Sequence, residues 1–405
     1  MGGTWNRSLR WLCMDQMRSA LAGTAGTFIL SWMLYELTGS KTAMGGLWLL
    51  SLSGQWLVQW IVGPFIDRWK RITVMKLSET IRGAAYLFVW LMWIVGVREA
   101  YILLIASFVS SIQIYDAAAG ALIPKLAASD SLVRVNAVIS GSIQLMRVLA
   151  LPAAGMIASA FSSEILLPVM TLLFLSAWIS AVYIQERPQP SRECRTWKGS
   201  FKQGLYVYKS NTILCGLALL ISVTSFGVFA TQAMYIPYVT ETLNGGPLDY
   251  GLFSAAFPLG YVCGSIIVGR LREPGTHLYT VMSAALFAGG MTYILLGMTT
   301  NIKVALAIEM TAGVAMPFWN VYSSTLYYRI VPEAILGQVL SVRSLLTRAM
   351  TPIGVMYGTF CASAFGLPEL FLSVGVLICL TSSTGILVAG RSATKQRAST
   401  VPAKE

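Results

Sequence analysis

The sequence predicts an all-α membrane protein, with twelve transmembrane helices arranged as two pseudo-symmetric six-helix bundles. Three observations carry that expectation. Hydrophobic residues make up 56% of the 405 and charged residues only 11%, against roughly 25% charged in an ordinary soluble chain. Long apolar windows recur from end to end and divide six and six around one polar segment. The basic residues fall almost wholly into alternate connecting segments. A soluble protein of this length must cover a wide wet surface, and 29 basic and 17 acidic side chains would cover it poorly. Soluble enzyme, fibrous protein and disordered chain are therefore set aside.

A bilayer core of about 30 Å takes about 20 apolar residues of helix. Windows of that kind lie at 14–37, 43–66, 77–97, 100–124, 135–160 and 164–184 in the first half. The second half supplies 212–238, 249–271, 276–298, 302–328, 338–365 and 368–390. The expected organisation is a bundle over 1–184, a central loop over 185–211, a second bundle over 212–390 and a disordered tail over 391–405. Pro188, Pro190 and six basic residues mark the central loop. The first window is too long for a cleavable signal peptide and lacks a small-residue cleavage site.

The net charge of +12 has a place in this layout. Arg7, Arg10, Arg18, Arg68, Lys70, Arg71, Lys76, Lys125 and Arg134 share one side with the central loop, Arg270, Arg272, Arg329 and the tail, 22 basic residues together. The opposite loops hold Lys41, Arg98 and Lys303. The excess of basic residues in cytoplasmic loops puts both termini and the central loop in the cytoplasm. Charge dispersed between apolar stretches suits a membrane surface and not a nucleic acid, whose basic patch should be clustered on a soluble domain. The six cysteines form no CxxC pair and His277 is the only histidine. No metal site, cofactor or histidine-based chemistry is expected.

The halves also repeat. Gly45, Gly54, Gly63 and Asp67 return at a constant offset of 206 as Gly251, Gly260, Gly269 and Glu273. Arg147 precedes Pro152 as Arg348 precedes Pro352. Two six-helix halves related by an axis along the membrane normal are one known layout of secondary transporters.

At this point the chain resembles the major facilitator superfamily over nearly its whole length. The loop Gly63-Pro64-Phe65-Ile66-Asp67-Arg68-Trp69-Lys70-Arg71 is similar to the superfamily's signature between its second and third spans. Tyr35-Glu36-Leu37-Thr38-Gly39-Ser40, Glu79 with Arg82, Ala121-Leu122-Ile123-Pro124, and Asn136-Ala137 with Arg147 resemble one branch of it. That branch contains macrolide-efflux-like and siderophore-exporter-like permeases and lysophospholipid transporters. The chain departs from it at Gly23-Thr24, where relatives often carry an acid, and at Ala150-Leu151-Pro152, where an antiporter-like Gly-Pro pair is degraded. The resemblance implies a cytoplasmic gate in which Asp67, with Gly63, Arg68 and Arg71, closes against Arg343 and Arg348.

Charge at the bilayer centre costs roughly 2.5–3.5 kcal/mol on insertion scales, so polar residues inside the windows are the candidate site. Asp116, with Gln113 beside it, either carries a proton, holds a cationic substrate group or pairs with an arginine such as Arg147. Glu309 begins a stripe with Gly313, Met316 and Asn320 on one helical face; it is either a coupling group or a hydrated residue at the mouth. Asn136, Ser140, Gln144 and Arg147 form a polar face that lines a cavity or bonds a neighbouring helix. Ser51, Gln55 and Gln59 recur at fours beside Trp48, Trp56 and Trp60, aromatics that either stack a flat ligand or sit at the interface. Glu79 and Arg82 complete the coupling candidates. No phosphate-cradling loop is present, so ATP is not the direct energy source. The expectation is a monomeric bacterial cell-membrane permease exporting a small amphipathic molecule on an ion gradient. Lysophospholipid translocation and a non-transporting receptor are the rival readings.

Overall fold

The structure is a computed structural model that describes residues 6–61, 70–112, 115–126, 132–185, 208, 211–272, 274–331 and 333–399. Among these it contains thirteen α-helices of eleven residues or more and no strand. In chain order they are α1 (Arg7–Thr38), α2 (Lys41–Ile61), α3 (Arg71–Ile94), α4 (Ala100–Ser110), α5 (Tyr115–Leu126), α6 (Leu132–Ala160) and α7 (Leu166–Val182). Then come α8 (Thr212–Gln232), α9 (Pro247–Arg270), α10 (Leu278–Met298), α11 (Ile302–Ile330), α12 (Glu333–Ala364) and α13 (Leu367–Ser399).

Asparagine starts three of these helices, by accepting the backbone N–H groups that a first turn leaves unpaired. Asn6 accepts from Leu9, Asn211 from Ile213 and Leu214, and Asn301 from Lys303. Gly39 ends α1 at a left-handed φ of 57°, its N–H returning to the Tyr35 carbonyl.

By length and composition, α6 to α11 and α13 contain stretches apolar enough to cross a membrane. Helix α3 falls outside that group because Arg71, Lys76, Glu79 and Arg82 interrupt its apolar run. Large side chains such as Phe161, Leu172, Phe360 and Leu380 are more than 60% exposed, as befits surfaces covered by lipid.

Two readings from the sequence are corrected. The window 100–124 is not one helix: α4 stops at Ser110 and α5 starts at Tyr115. Ser110 and Ser111 turn their hydroxyls onto the carbonyls of Ser107 and Phe108 at that end, an alternative that short polar side chains offer a backbone. The tail is helical to Ser399. Ala, Lys, Gln and Arg there favour helix, and basic residues suit its C-terminal end.

The chain divides into two compact units, 1–193 with 245–255, and 194–244 with 256–405. In the first, α1 packs on α6 and α7, and α3 on α7, α5 and α4. Leu9, Leu12, Val74, Met75, Tyr115, Leu122 and Ile139 make its core at one end. In the second, α10 packs on α13 and α11, and α8 on α12 and α13. Tyr208, Leu217, Met282, Trp319, Tyr327 and Val339 belong to its core. After α8 the chain passes Pro237 into a π-helical turn over Tyr238–Thr242, where the Leu243 N–H reaches the Tyr238 carbonyl at 3.1 Å.

The repeated glycines play matching parts inside their own units. A Cβ at Gly54 of α2 would meet Ser111 Oγ at 2.2 Å and the Phe108 carbonyl at 3.0 Å, and one at Gly260 of α9 would meet the Met310 carbonyl at 2.0 Å. Backbone cannot give way as a side chain end can. Gly260→Val should therefore cost about 1–3 kcal/mol by forcing α9 from α11, whereas Gly46→Ala, with open space around it inside α2, should hold or slightly raise the melting temperature of the detergent-solubilised protein.

Candidate functional site: a buried arginine and two buried carboxylates

On α1, Asp15, Ser19, Gly23 and Thr27 recur every four residues and share one face. That face meets α3, whose Glu79, Arg82 and Tyr86 project toward it at spacings of three and four. Gly23 and Gly26 make the meeting possible. A Cβ at Gly23 would stand 2.3 Å from Arg82 Nη2, and one at Gly26 would stand 2.2 Å from the Tyr86 hydroxyl.

Arg82 is 5% exposed, yet it lies eleven residues into a 24-residue helix, about 16 Å along the axis at 1.5 Å per residue. Its Nη1 donates to Ser19 Oγ at 3.2 Å, and its guanidinium lies 4.5 Å over the Phe174 ring. Tyr86 stacks on the same phenylalanine, 5.6 Å between centroids. Arg82 and Tyr86 border a small cavity of about 90 Å³. Its other walls are Thr27 of α1; Trp48, Ser51, Leu52 and Gln55 of α2; Ser107 and Ser110 of α4; and Ser111 just after it. Ser51 and Ser107 hydroxyls bond to each other at 2.7 Å across it.

Away from the cavity on the same two helices lie the carboxylates. Asp15 is 0% exposed and Glu79 1%. Asp15 Oδ2 accepts from the Tyr115 hydroxyl of α5, and its Oδ1 has no hydrogen-bond partner among the described residues. Glu79 and Arg18 both lie close enough to act on Asp15 electrostatically. Arg18 donates to the Ser176 carbonyl at 3.1 Å and to Ser180 Oγ at 2.7 Å, which fixes it against α7.

The second unit holds a separate polar cluster. Glu309 of α11 is 3% exposed and accepts from the Tyr235 hydroxyl at 2.9 Å. Tyr293 bonds Tyr235, Tyr238 donates to the Leu296 carbonyl at 2.7 Å, and Phe371 packs on all three tyrosines. This corrects the hydrated-mouth alternative for Glu309. The stripe it begins faces α9: Gly313 lies against the Phe257 carbonyl, and Asn320 donates to the Tyr261 hydroxyl at 3.2 Å.

The remaining sequence-predicted residues fall apart from these clusters. Asn136, Gln144 and Arg147 lie exposed along one face of α6. Trp56 is exposed on α2, one residue from the cavity wall. Arg343 stands 5.1 Å over the Tyr327 ring and reaches Ser324 Oγ at 3.5 Å, while Arg348 is exposed. Arg71 opens α3 and is half-buried. Gly63, Asp67, Arg68 and Gln113 lie outside the described residues, as do the side chains of Gln59 and Asp116. Sequence reasoning missed Asp15, Tyr86, Tyr115, Tyr235 and Tyr293. Only Asp15 left a signal, the four-residue spacing with Ser19, Gly23 and Thr27.

Long apolar helices around buried charge define a multi-pass membrane protein of the transporter kind. Comparison with known proteins agrees. Over 99% of its length the chain is 24% identical to the uncharacterised MFS-type transporter YvqJ of Bacillus subtilis (strain 168), covering 96% of that protein. It is 23% identical over 69% of its length to BacE of Bacillus amyloliquefaciens, whose name proposes it as a bacilysin exporter, covering 70% of that protein. Among solved structures, a bacterial homologue of the iron transporter ferroportin, in its inward-facing state, matches at a TM-score of 0.71 and 18% identity, over 94% of this chain and 98% of that one. The nucleoside transporter NupG matches at 0.72 and 11%, over 95% and 99%. No family model matches. The relatives match the resemblance read from the sequence: over nearly its whole length the chain is similar to membrane transporters of the major facilitator type, and it shares the fold of solved transporters.

Proposed function

We propose that the chain is a secondary transporter that exports a small amphipathic molecule by alternating access, coupled to an ion gradient, protons foremost. In this reading twelve helices span the cell membrane in two six-helix bundles, with both termini in the cytoplasm. The observation that carries it is the set of buried charges Asp15, Glu79 and Arg82 on two helices, of which Arg82 borders a hydroxyl-lined cavity. Such charges are costly in a bilayer and mark pathways for substrates and ions. The relative named as an exporter favours efflux over uptake. Asp15 and Glu79 join Asp116 and Glu309 as the candidate ion carriers, and Gln55 lies on the substrate side.

Everted membrane vesicles from cells overexpressing the chain test this. A panel of amphipathic antibiotics and a labelled lysophospholipid would be offered under a proton gradient. Saturable uptake of one of the antibiotics, collapsed by a protonophore, is the expected result. Movement of the lysolipid alone would establish the rival reading, and saturable binding with no flux of any compound would mean a receptor.

A further inference from the structure

The cavity of the first unit has a chemistry of its own. Among the described residues, the one charged side chain on its wall is a cation, Arg82. Arginine presents a planar fork of donors matched to carboxylate and phosphate oxygens. It is seated over the phenylalanine ring, bonded to Ser19, in space that the missing Cβ at Gly23 leaves open. Beside it, Ser51 and Ser107 share a single hydrogen bond and so keep one hydroxyl proton to offer an oxyanion, while Thr27, Ser110 and Ser111 donate to helix carbonyls. Trp48 and Leu52 supply an apolar side to the same space. The buried acids of the same two helices, Asp15 and Glu79, are absent from the cavity wall, so among the described residues an anion entering there meets no like charge at contact.

We infer that this cavity, between α1, α2, α3 and α4, binds the oxyanion head of an amphipathic substrate, a carboxylate or phosphate gripped by Arg82 with the apolar body against Trp48. The inference rests on the transporter reading and narrows its substrate to anions. About 90 Å³ admits a head group and not a whole drug-sized molecule, whose usual cleft is about 300–1,000 Å³. The body of the substrate must therefore extend out of the cavity. Exposed Gln55 stands on this wall, where it can bond a head group without holding the fold together.

The test uses the full chain purified in dodecyl maltoside. Thermal stabilisation is titrated with phenyl phosphate, with phenol, and with benzyltrimethylammonium as the cation of similar size. Phenyl phosphate should stabilise the wild type and the other two should not. Arg82→Gln should weaken that response at least tenfold, Arg82→Lys should restore part of it, and Gln55→Ala should weaken it severalfold. Should Arg82→Gln fail to fold, Arg82→Lys and Gln55→Ala decide. Equal stabilisation by the cation, or a phenyl phosphate response indifferent to all three substitutions, would overturn the inference. Liposomes containing lysophosphatidate distinguish the source: protection there, lost in the same variants, means a lipid head group, whereas a response to phenyl phosphate alone means a soluble substrate. Binding is read without flux, so a failed transport assay sinks the transporter reading and leaves this result standing. Gradient-driven flux of a cation, unaffected at Arg82, sinks the anion assignment alone.

Discussion

Asp15→Asn should abolish gradient-driven transport, by about 100-fold or more, while leaving the protein nearly as stable as the wild type. The asparagine keeps the shape of the side chain, and its amide oxygen still accepts from Tyr115. What it loses is the capacity to change charge at a site closed to solvent, beside Glu79 and Arg18. Alternating access coupled to an ion needs such a group, since a gradient can drive only a conformation whose charge it alters. Asp15→Ala separates the two roles, because it also removes the hydrogen bond between Asp15 and the Tyr115 hydroxyl, a loss of about 1 kcal/mol. Counterflow of substrate across proteoliposomes, which needs no gradient, should survive in Asp15→Asn. If the gradient still drives accumulation in that variant, the ion is carried elsewhere, with Glu309 the next to examine.

Gly26→Val should be among the most destabilising single substitutions in the first unit, and Gly23→Ala among the most damaging to function at little cost in stability. The two glycines are three residues apart on one face of α1, but they lie against different things. At Gly26 a new Cβ would fall 2.2 Å from the Tyr86 hydroxyl and 2.5 Å from its ring. Tyr86 is 1% exposed and stacked on Phe174, so it cannot step aside. Valine there should cost about 3 kcal/mol, at the upper end for overpacking. At Gly23 the new Cβ would meet the far end of Arg82, which can swing. The helix pair then survives while the guanidinium leaves its seat over Phe174. Thermal unfolding in detergent set against transport rate in vesicles separates the two; equal loss of both quantities in both variants would contradict this assignment.

The helices were legible because a bilayer demands long apolar runs, and most of the predicted windows lie within a few residues of the helices that carry them. The break between α4 and α5 was not, since Ser110 and Ser111 sit in a sequence apolar enough to read as continuous. The candidate site was half legible. Glu79, Arg82, Gln55 and Glu309 stood out as polar residues in apolar windows. Asp15 did not, because Arg10 and Arg18 flank it and the three read together as charges at a membrane edge. The tyrosines were invisible for a different reason. Tyrosine is common in membrane helices as an interfacial anchor, and only packing tells an anchor from a donor to a buried carboxylate. The glycines that admit Arg82 and Tyr86 belong to the same class, for nothing in a sequence says what faces a missing side chain.

The π-helical turn at Tyr238–Thr242 adds something that static packing alone would not supply. Such a turn stores one residue more than an α turn, and it lies just after the tyrosine that holds Glu309. Pro237 has already removed one backbone donor at its start, and Thr240 Oγ1 returns to the Ile236 and Pro237 carbonyls at 2.9 and 3.2 Å. Moving the surplus residue along the chain would exchange one hydrogen bond for another and rotate the following segment by about 100°, the angle of a single residue in an α-helix.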